Sequence, residues 1–166
     1  MAHYEYCSNC GNKNTRGYMD GNTRYFCPDC KAIHYENPKP TATLICPKKN
    51  SILLARRAVA PSKGEWGLPG GFMELNETLD EAACRELKEE TNLEGEVVSI
   101  LGTCSHYGSI FGDILLIGLE VSISSWDHMK AGDDVSELQF FDIDNLPDLA
   151  FECHRKIVSF YINRKQ

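Results

Sequence analysis

The sequence has little positive charge and no long hydrophobic run. It carries 17 Lys and Arg against 24 Asp and Glu, a formal net charge of −7 over 166 residues. General nucleic-acid binding depends on clustered Lys and Arg that neutralise phosphates, so this balance argues against it. No apolar run approaches the roughly 20 residues that cross a bilayer, and the first residues, MAHYEYC, lack a signal-peptide core. We therefore expect a cytoplasmic protein that has no membrane partner.

Cysteine, in contrast, is abundant, with 8 residues. Cys7 and Cys10 form one CxxC pair, and Cys27 and Cys30 form a second one 16 residues later. Two tight turns that each present two thiolates are typical of a tetrahedral zinc site. Two disulfides are the alternative, but cysteines so close in sequence are poorly placed for one and the chain lacks a secretion signal. The spacing predicts a structural Zn²⁺ in a zinc ribbon over residues 1–36.

The charge of the predicted ribbon bears on its role. Through Pro40 it has five Lys or Arg and four Asp or Glu, and four thiolates on Zn²⁺ add about two negative charges. We therefore expect a structural or homodimer-forming role rather than nucleic-acid binding. The other cysteines are expected to be small buried hydrophobic residues; they are Cys46, Cys84, Cys104 and Cys153.

The stretch from Gly71 to Leu93 holds six glutamates and one aspartate in 23 residues, yet it has the pattern of an amphipathic helix. Thr78 and Glu81 have the spacing of a capping box at its start. Residues 79, 83, 86 and 90 share one face, on which Glu86 and Glu90 take positions expected to be apolar. Buried carboxylates repel one another unless a cation compensates them, and oxygen ligands suit Mg²⁺ or Mn²⁺ better than zinc.

The same stretch resembles the Nudix box of the Nudix hydrolases. The matching positions, with the family's spacing, are Gly71, Glu77, Arg85, Glu86, Leu87, Glu89, Glu90 and Leu93. Asn92 stands where the family usually has glycine, and asparagine also tolerates the left-handed conformation that ends a helix. The resemblance implies an α/β fold, the Nudix α/β/α sandwich with a mixed sheet, over residues 37–166. It also implies Mg²⁺-dependent hydrolysis of a diphosphate linked to another moiety.

The resemblance assigns roles to individual residues. It implies Mg²⁺ ligands at Gly71, Glu86, Glu89 and Glu90, and a general base that is one of these glutamates or Glu137. Helical geometry places Arg85 away from Glu86, so we expect Arg85 to form an ion pair, with Glu77 as a candidate partner, rather than to contact substrate.

Arginines and aromatic residues elsewhere are the candidates for substrate binding. Arg56 and Arg57 end a predicted strand, where they either bind phosphate or a base, or are ordinary surface residues. Tyr107 and Phe111 lie in the segment HYGSIFG, interpreted as a flexible loop. Either ring is a candidate to stack on a flat ring of the substrate, and simple packing within the loop is the alternative.

Two branches of the family compete for the substrate. An N-terminal four-cysteine ribbon also occurs in Nudix NADH pyrophosphatases, but HYGSIFGDI stands where those enzymes have an SQPWPFP-type stretch. The segments YENPKP, PSKGEWGLPGGFMELNET and LAFECHRKIVSFYI are more similar to the branch that includes plant plastid FAD pyrophosphatases. We therefore expect a dinucleotide or nucleoside-diphosphate substrate, FAD or ADP-ribose, with NADH as the alternative. A non-catalytic nucleotide sensor with a ribbon for interactions is the alternative of another class.

Periodicity predicts the remaining elements of the main domain. A final helix is expected from Phe151 to Arg164. The predicted strands are Thr41–Cys46, Ser51–Arg57, Val97–Ser105, Ile114–Ile123 and Leu138–Ile143.

Overall fold

The structure is a computed structural model that describes residues 4–165. Residues 1–3 of the predicted ribbon and residue 166 of the predicted hydrolase domain lie outside the described part. The chain divides into two compact units, Met1–Asn37 and Pro38–Gln166. Within the described residues, neither α-helix is long and apolar enough to cross a membrane.

The first unit contains a small antiparallel sheet. Its strands are Thr15–Met19 (β1), Asn22–Phe26 (β2) and Ile33–His34 (β3), in the order β1-β2-β3. Tyr25 and Phe26, whose aromatic side chains favour strands, lie in β2. Tyr6 forms only a single bridge, to Lys13.

The second unit contains eight strands and two α-helices among its described residues. The strands are Lys39–Ile45 (β4), Pro47–Lys48 (β5), Ser51–Arg57 (β6), Trp66–Gly67 (β7), Gly70–Phe72 (β8), Gly95–Ser109 (β9), Gly112–Ile123 (β10) and Val135–Asp142 (β11). The helices are Leu79–Thr91 (α1) and Glu152–Lys165 (α2).

The strands form two sheets, one of them mixed. The order of the first is β8-β4-β10-β9, in which β10 is parallel to β4 and antiparallel to β9. The second has the order β11-β6-β5, and β7 pairs with β6. Since β7 pairs with β6 in the second sheet and β8 pairs with β4 in the first, residues 66–72 run from one sheet to the other.

Hydrophobic residues fill both faces of the strands. Neighbouring residues of β4 point to opposite sides, so Leu44 packs with α1 and Ile45 packs with α2. Leu53 and Leu54 divide in the same way in β6. Such double-sided burial requires a helix on each face. The structure therefore has the α/β/α layers and the mixed sheet that the sequence predicts.

Helix α1 begins and ends where its capping residues predict. The N–H of Glu81 donates to Oγ1 of Thr78 at 3.2 Å, and the N–H of Thr78 donates to the Glu81 carboxylate at 2.7 Å. Asn92 adopts the left-handed conformation, with φ of 56°, and its N–H donates to the carbonyl of Lys88. The capping box and the asparagine stop are both confirmed.

The cysteines outside the ribbon are buried with one exception. Cys46, Cys104 and Cys153 are buried as expected, but Cys84 is exposed, so its predicted burial is wrong. Cys84 follows the buried Ala83 in α1, and one helical residue turns the side chain about 100° away from the core face.

The interpretation of His106–Gly112 as a flexible loop is wrong. Strand β9 continues to Ser109 and β10 starts at Gly112, so this segment is the end of a β-hairpin. Gly108 and Gly112 have positive φ values, which allow the tight reversal. The N–H of Gly108 also donates to the side chain of Asp113 at 3.0 Å. Glycines that suggest flexibility in the sequence instead provide the geometry of a turn.

Candidate active site

The carboxylates of α1 meet the glycines of β8. The N–H of Gly70 donates to Oε2 of Glu90 at 2.8 Å. A Cβ on Gly71 would lie 2.7 Å from the carboxylate of Glu86, so a side chain there would displace it. The Gly-Gly pair therefore lets β8 approach α1 closely enough for two carboxylates to lie beside its backbone.

Burial raises the pKa of both carboxylates, Glu86 and Glu90. It raises the pKa of Glu90 to about 8, despite the opposing hydrogen bond from Gly70, and the nearby charges of Glu86, Asp134 and Asp133 add to the rise. Burial also raises the pKa of Glu86, against the effect of its neighbour Arg85. Both groups would be stabilised in their charged form by a cation.

Arg85 connects the rest of the box. Its guanidinium donates to both carboxylate oxygens of Glu77, at 2.8 and 3.0 Å, and to the carbonyl of Phe72 at 3.0 Å. The ion pair with Glu77 is thus present, and its hydrogen bonds lower the pKa of Glu77. Nη1 also reaches Glu86 at 2.7 Å and Glu89 at 3.1 Å, so one arginine fixes three glutamates.

A cleft of about 460 Å³ opens above Glu86 and Glu90. It lies within the second unit and is of the size that holds a small molecule. Its acidic lining residues are Glu74, Glu86, Glu90, Asp133 and Asp134. Its aromatic, imidazole and cationic lining residues are Phe72, Phe111, Phe151, His106, His154 and Arg57.

Of the candidate substrate-binding residues Arg56, Arg57 and Tyr107, one lines the cleft. Arg57 lines the cleft, where its Nε donates to the carbonyl of Pro61 and its guanidinium lies 5.3 Å from the ring centre of Phe151. Arg56 instead donates to the carbonyl of Gly64 at 2.8 Å and pairs with Glu137 at 3.1 Å. Neither Arg56 nor Tyr107 is among the described residues that line the cleft, and Tyr107 is 74% exposed.

The two remaining candidate catalytic glutamates also lie away from the cleft wall. Glu89 has a half-exposed side chain held by Arg85. Glu137 is half-exposed and paired with Arg56. Within the described part of the chain, the cleft wall includes neither residue.

Three further cleft residues are not predicted from the sequence. Asp133 and Asp134 follow Gly132, whose N–H donates to the carbonyl of Glu90 at 3.0 Å. This contact docks their loop on the C-terminal end of α1 and brings both carboxylates to the cleft. His154 comes from α2, more than eighty residues from the glycines of β8. Only the run Gly-Asp-Asp is a signal, since it predicts a turn but not its location.

The four ribbon cysteines converge in the first unit. The Cys7 and Cys30 sulfurs lie 3.6 Å apart, those of Cys10 and Cys27 lie 3.5 Å apart, and all four lie within 4.8 Å of one another. A disulfide needs about 2.05 Å, whereas thiolates about 2.3 Å from a tetrahedral zinc are roughly 3.8 Å apart. The distances fit a metal site and exclude the disulfide alternative in this structure.

The two turns that carry the cysteine pairs share a backbone hydrogen bond and a residue with positive φ. The N–H of Gly11 donates to the carbonyl of Cys7, and the N–H of Lys31 donates to that of Cys27. Gly11 and Lys31 both have positive φ values, of 77° and 62°. Each CxxC pair thus lies in a turn of one shape, and among the described residues these four cysteines form the one compact set of sulfur, nitrogen and carboxylate ligands.

Comparisons with known proteins agree with this geometry. The NUDIX domain family matches residues 37–160, and the Nudix N-terminal zinc-ribbon family matches residues 5–36. An ADP-ribose pyrophosphatase of Methanocaldococcus jannaschii is 43% identical over 139 residues, which cover 79% of this chain and 77% of that protein. A NAD-capped RNA hydrolase NudC of Pseudomonas aeruginosa is 26% identical over 98% of this chain, which spans only 57% of that protein.

A crystal structure points to the same group of proteins. A NUDIX hydrolase from Nitrosomonas europaea is 32% identical and superimposes with a TM-score of 0.84, over 97% of this chain and 92% of that one. Together with the family matches, this likeness shows that the chain belongs to the Nudix hydrolase family and carries the family's N-terminal zinc ribbon.

Proposed function

We propose that the protein hydrolyses the diphosphate of an ADP-ribose-type substrate in a Mg²⁺-dependent reaction and releases AMP. The observation that carries the proposal is the pair of buried carboxylates, Glu86 and Glu90, at the floor of a cleft beside the backbone of Gly70 and Gly71. A diphosphate is anionic, so its hydrolysis here requires compensating positive charge.

The donor set fits a hard divalent cation. Nudix enzymes use divalent metal ions, and the ligands proposed here are Glu86, Glu89, Glu90 and the carbonyl of Gly71. Carboxylate and carbonyl oxygens favour Mg²⁺ or Mn²⁺ over zinc. When bound, such ions offset the charge of the diphosphate and lower the pKa of water. Burial raises the pKa of Glu90, and a bound cation would favour its charged form.

The protein's own side chains orient the carboxylates and remove a proton from the attacking water. Arg85 holds Glu77, Glu86 and Glu89 in one network, so the carboxylates are oriented before substrate arrives. Glu89 is the general-base candidate that this network supports best, since its half-exposed carboxylate can accept a proton from water. Glu137 is the second candidate, since it is also half-exposed and pairs with Arg56 at 3.1 Å, as Glu89 pairs with Arg85.

The other side of the cleft suits an organic ring or sugar. Phe111 packs edge-on against Phe72 with ring centres 5.4 Å apart, and Phe151 lies beneath Arg57. Arg57 keeps its terminal nitrogens available for a phosphate, since only its Nε has a partner among the described residues. The 43% identical relative is an ADP-ribose pyrophosphatase, which favours ADP-ribose over FAD. NADH is the second candidate, because the chain also resembles NAD-capped RNA hydrolases.

The proposal also covers the ribbon and the location of the protein. The ribbon holds a structural Zn²⁺ and serves for folding or homodimer formation. Nucleic acid is not proposed as its partner, because the ribbon region has almost no excess of positive residues. The proposed location is the cytoplasm.

A substrate panel tests the activity and separates it from nucleotide sensing. The purified protein is incubated with Mg²⁺ and ADP-ribose, FAD or NADH, and AMP is measured by chromatography. We expect AMP from ADP-ribose at the highest kcat/KM, and none without a divalent ion. If none of the three compounds is cut but thermal shift shows that the protein binds them, the result favours the sensor.

A further inference from the structure

His154 is anchored through one ring nitrogen. The backbone N–H of Leu68 donates to its Nδ1 at 3.0 Å, so Nδ1 is an acceptor and carries no proton. A Cβ on Gly67 would lie 3.2 Å from Nδ1, so the ring packs tightly against the backbone of β7. The proton of the neutral imidazole therefore lies on Nε2.

The proton-bearing side of the ring belongs to the cleft. His154 lines the cleft, and its ring lies 5.2 Å from that of Phe151 in an edge-to-face arrangement. Nε2 has no hydrogen-bond partner among the described residues, and it is absent from their fully enclosed unpaired atoms. It is thus a donor that remains accessible from the cleft.

The imidazole also stays uncharged at neutral pH. Burial, and then the nearby charges of Arg57 and His106, lower the pKa of His154 to about 4. Besides burial, the contributions of Arg57 and His106 act in the same direction, and no carboxylate is among the causes of the shift. An uncharged N–H can donate to neutral and to anionic acceptors alike, so the position of Nε2 in the cleft decides which part of a ligand it meets.

One short segment positions both the imidazole and the metal-site carboxylate. The amide of Leu68 holds His154, and the amide of Gly70, two residues later, holds Glu90. If the diphosphate binds at Glu86 and Glu90, as the proposed function assumes, a group bound at Nε2 lies next to it and is held by the imidazole rather than by the carboxylates. In a nucleoside-diphosphate compound, the parts in that position are the sugar and the ring.

We propose that His154 is a substrate-binding residue whose Nε2–H donates to an uncharged oxygen or nitrogen on the sugar or ring next to the diphosphate. The proposal rests on the proposed function, since it assumes that the cleft holds a nucleoside diphosphate. Neither the sequence pattern nor the box assigns this role.

Two substitutions separate binding from a purely structural role. His154→Asn keeps an acceptor where Nδ1 lies and removes the donor in the cleft. His154→Gln places an amide near Nε2 and removes the acceptor for Leu68. Each variant is measured by KM and kcat with ADP-ribose and Mg²⁺, by calorimetry of ADP-ribose with Ca²⁺ under conditions where chromatography shows it intact, and by melting temperature.

We expect His154→Asn to raise KM and Kd roughly tenfold with kcat changed less than about twofold, because a single hydrogen bond is lost. Its melting temperature stays close to that of the wild type. His154→Gln melts several degrees lower but binds ADP-ribose more tightly than His154→Asn. The proposal is overturned if His154→Asn binds like the wild type, or if His154→Gln binds as weakly as His154→Asn.

The binding measurement keeps this result apart from the proposed function. If ADP-ribose is not hydrolysed but its Kd depends on His154 as described, the hydrolase proposal fails and the role of His154 stands. If ADP-ribose is hydrolysed with a KM that neither substitution changes, the hydrolase proposal stands and the role of His154 fails.

Discussion

The backbone N–H of Gly70 donates a hydrogen bond of 2.8 Å to Oε2 of Glu90, two residues that are 20 positions apart. This bond ties the start of the Nudix box to the last turn of its helix. It leaves the second carboxylate oxygen of Glu90 without a protein partner among the described residues, and that oxygen is available to a cation.

Replacing Glu90 by glutamine removes its negative charge while keeping the fold intact. Glutamine retains an oxygen that accepts from Gly70, but it cannot supply a carboxylate to Mg²⁺. We expect kcat/KM for ADP-ribose to fall roughly 100-fold or more, while the melting temperature without Mg²⁺ does not fall. Glu96→Gln, at an exposed glutamate outside the box, is the matched control and should keep full activity. Full activity in both Glu90→Gln and Glu89→Gln would remove the metal-site assignment.

Asn92 provides a test of the helix stop. Its left-handed conformation disfavours most residues, and its Nδ2 donates to the carbonyl of His128 at 2.9 Å. We expect Asn92→Ala to lower the free energy of unfolding by about 1–2 kcal/mol, from strain and the lost hydrogen bond. Asn92→Gly loses the same bond but gains backbone freedom, so its change should stay within about 1 kcal/mol. Urea unfolding measures both, and equal effects of the two substitutions would contradict this explanation.

The sequence predicts local features of the site well and non-local ones poorly. The capping box and the Asn92 stop depend on residues within one turn, so their spacing is sufficient. Helical geometry suggests that Arg85 is away from Glu86, but a long flexible side chain reaches it at 2.7 Å. Asp133, Asp134 and His154 reach the cleft only because a loop docks on α1 and α2 packs under β7. No periodicity in the sequence carries that information.

The low pKa of His154 predicts a dependence of stability on pH. Its pKa is about 4 in the folded protein, against about 6.5 when unfolded. Between these values the unfolded chain binds a proton that the folded chain does not, so stability is lost as pH falls from about 6.5 towards 4. From pH 7 to 4.5, the wild type should lose about 2 kcal/mol more than His154→Asn, whose amide does not titrate. Urea unfolding of both at the two pH values checks this, and parallel losses would contradict it.

The ribbon cysteines should account for the zinc of the protein. Cys27 is fully buried within the four-cysteine set, whereas Cys84 is an exposed cysteine of α1. We expect one zinc per chain in the wild type and in Cys84→Ser, and much less in Cys27→Ser, because serine is a poor zinc ligand. Elemental analysis of the purified proteins gives the result. Equal zinc contents in all three proteins would contradict the assignment of the zinc site to the ribbon cysteines.

The most direct measurement of the central claim is the hydrolysis of ADP-ribose in water labelled with heavy oxygen, followed by mass spectrometry of the products. The proposed reaction predicts AMP and ribose phosphate in the presence of Mg²⁺, with one labelled oxygen on a product phosphate and no turnover by Glu90→Gln. Intact ADP-ribose after incubation of the folded wild type with Mg²⁺ would contradict the claim, as would products whose phosphates carry no label.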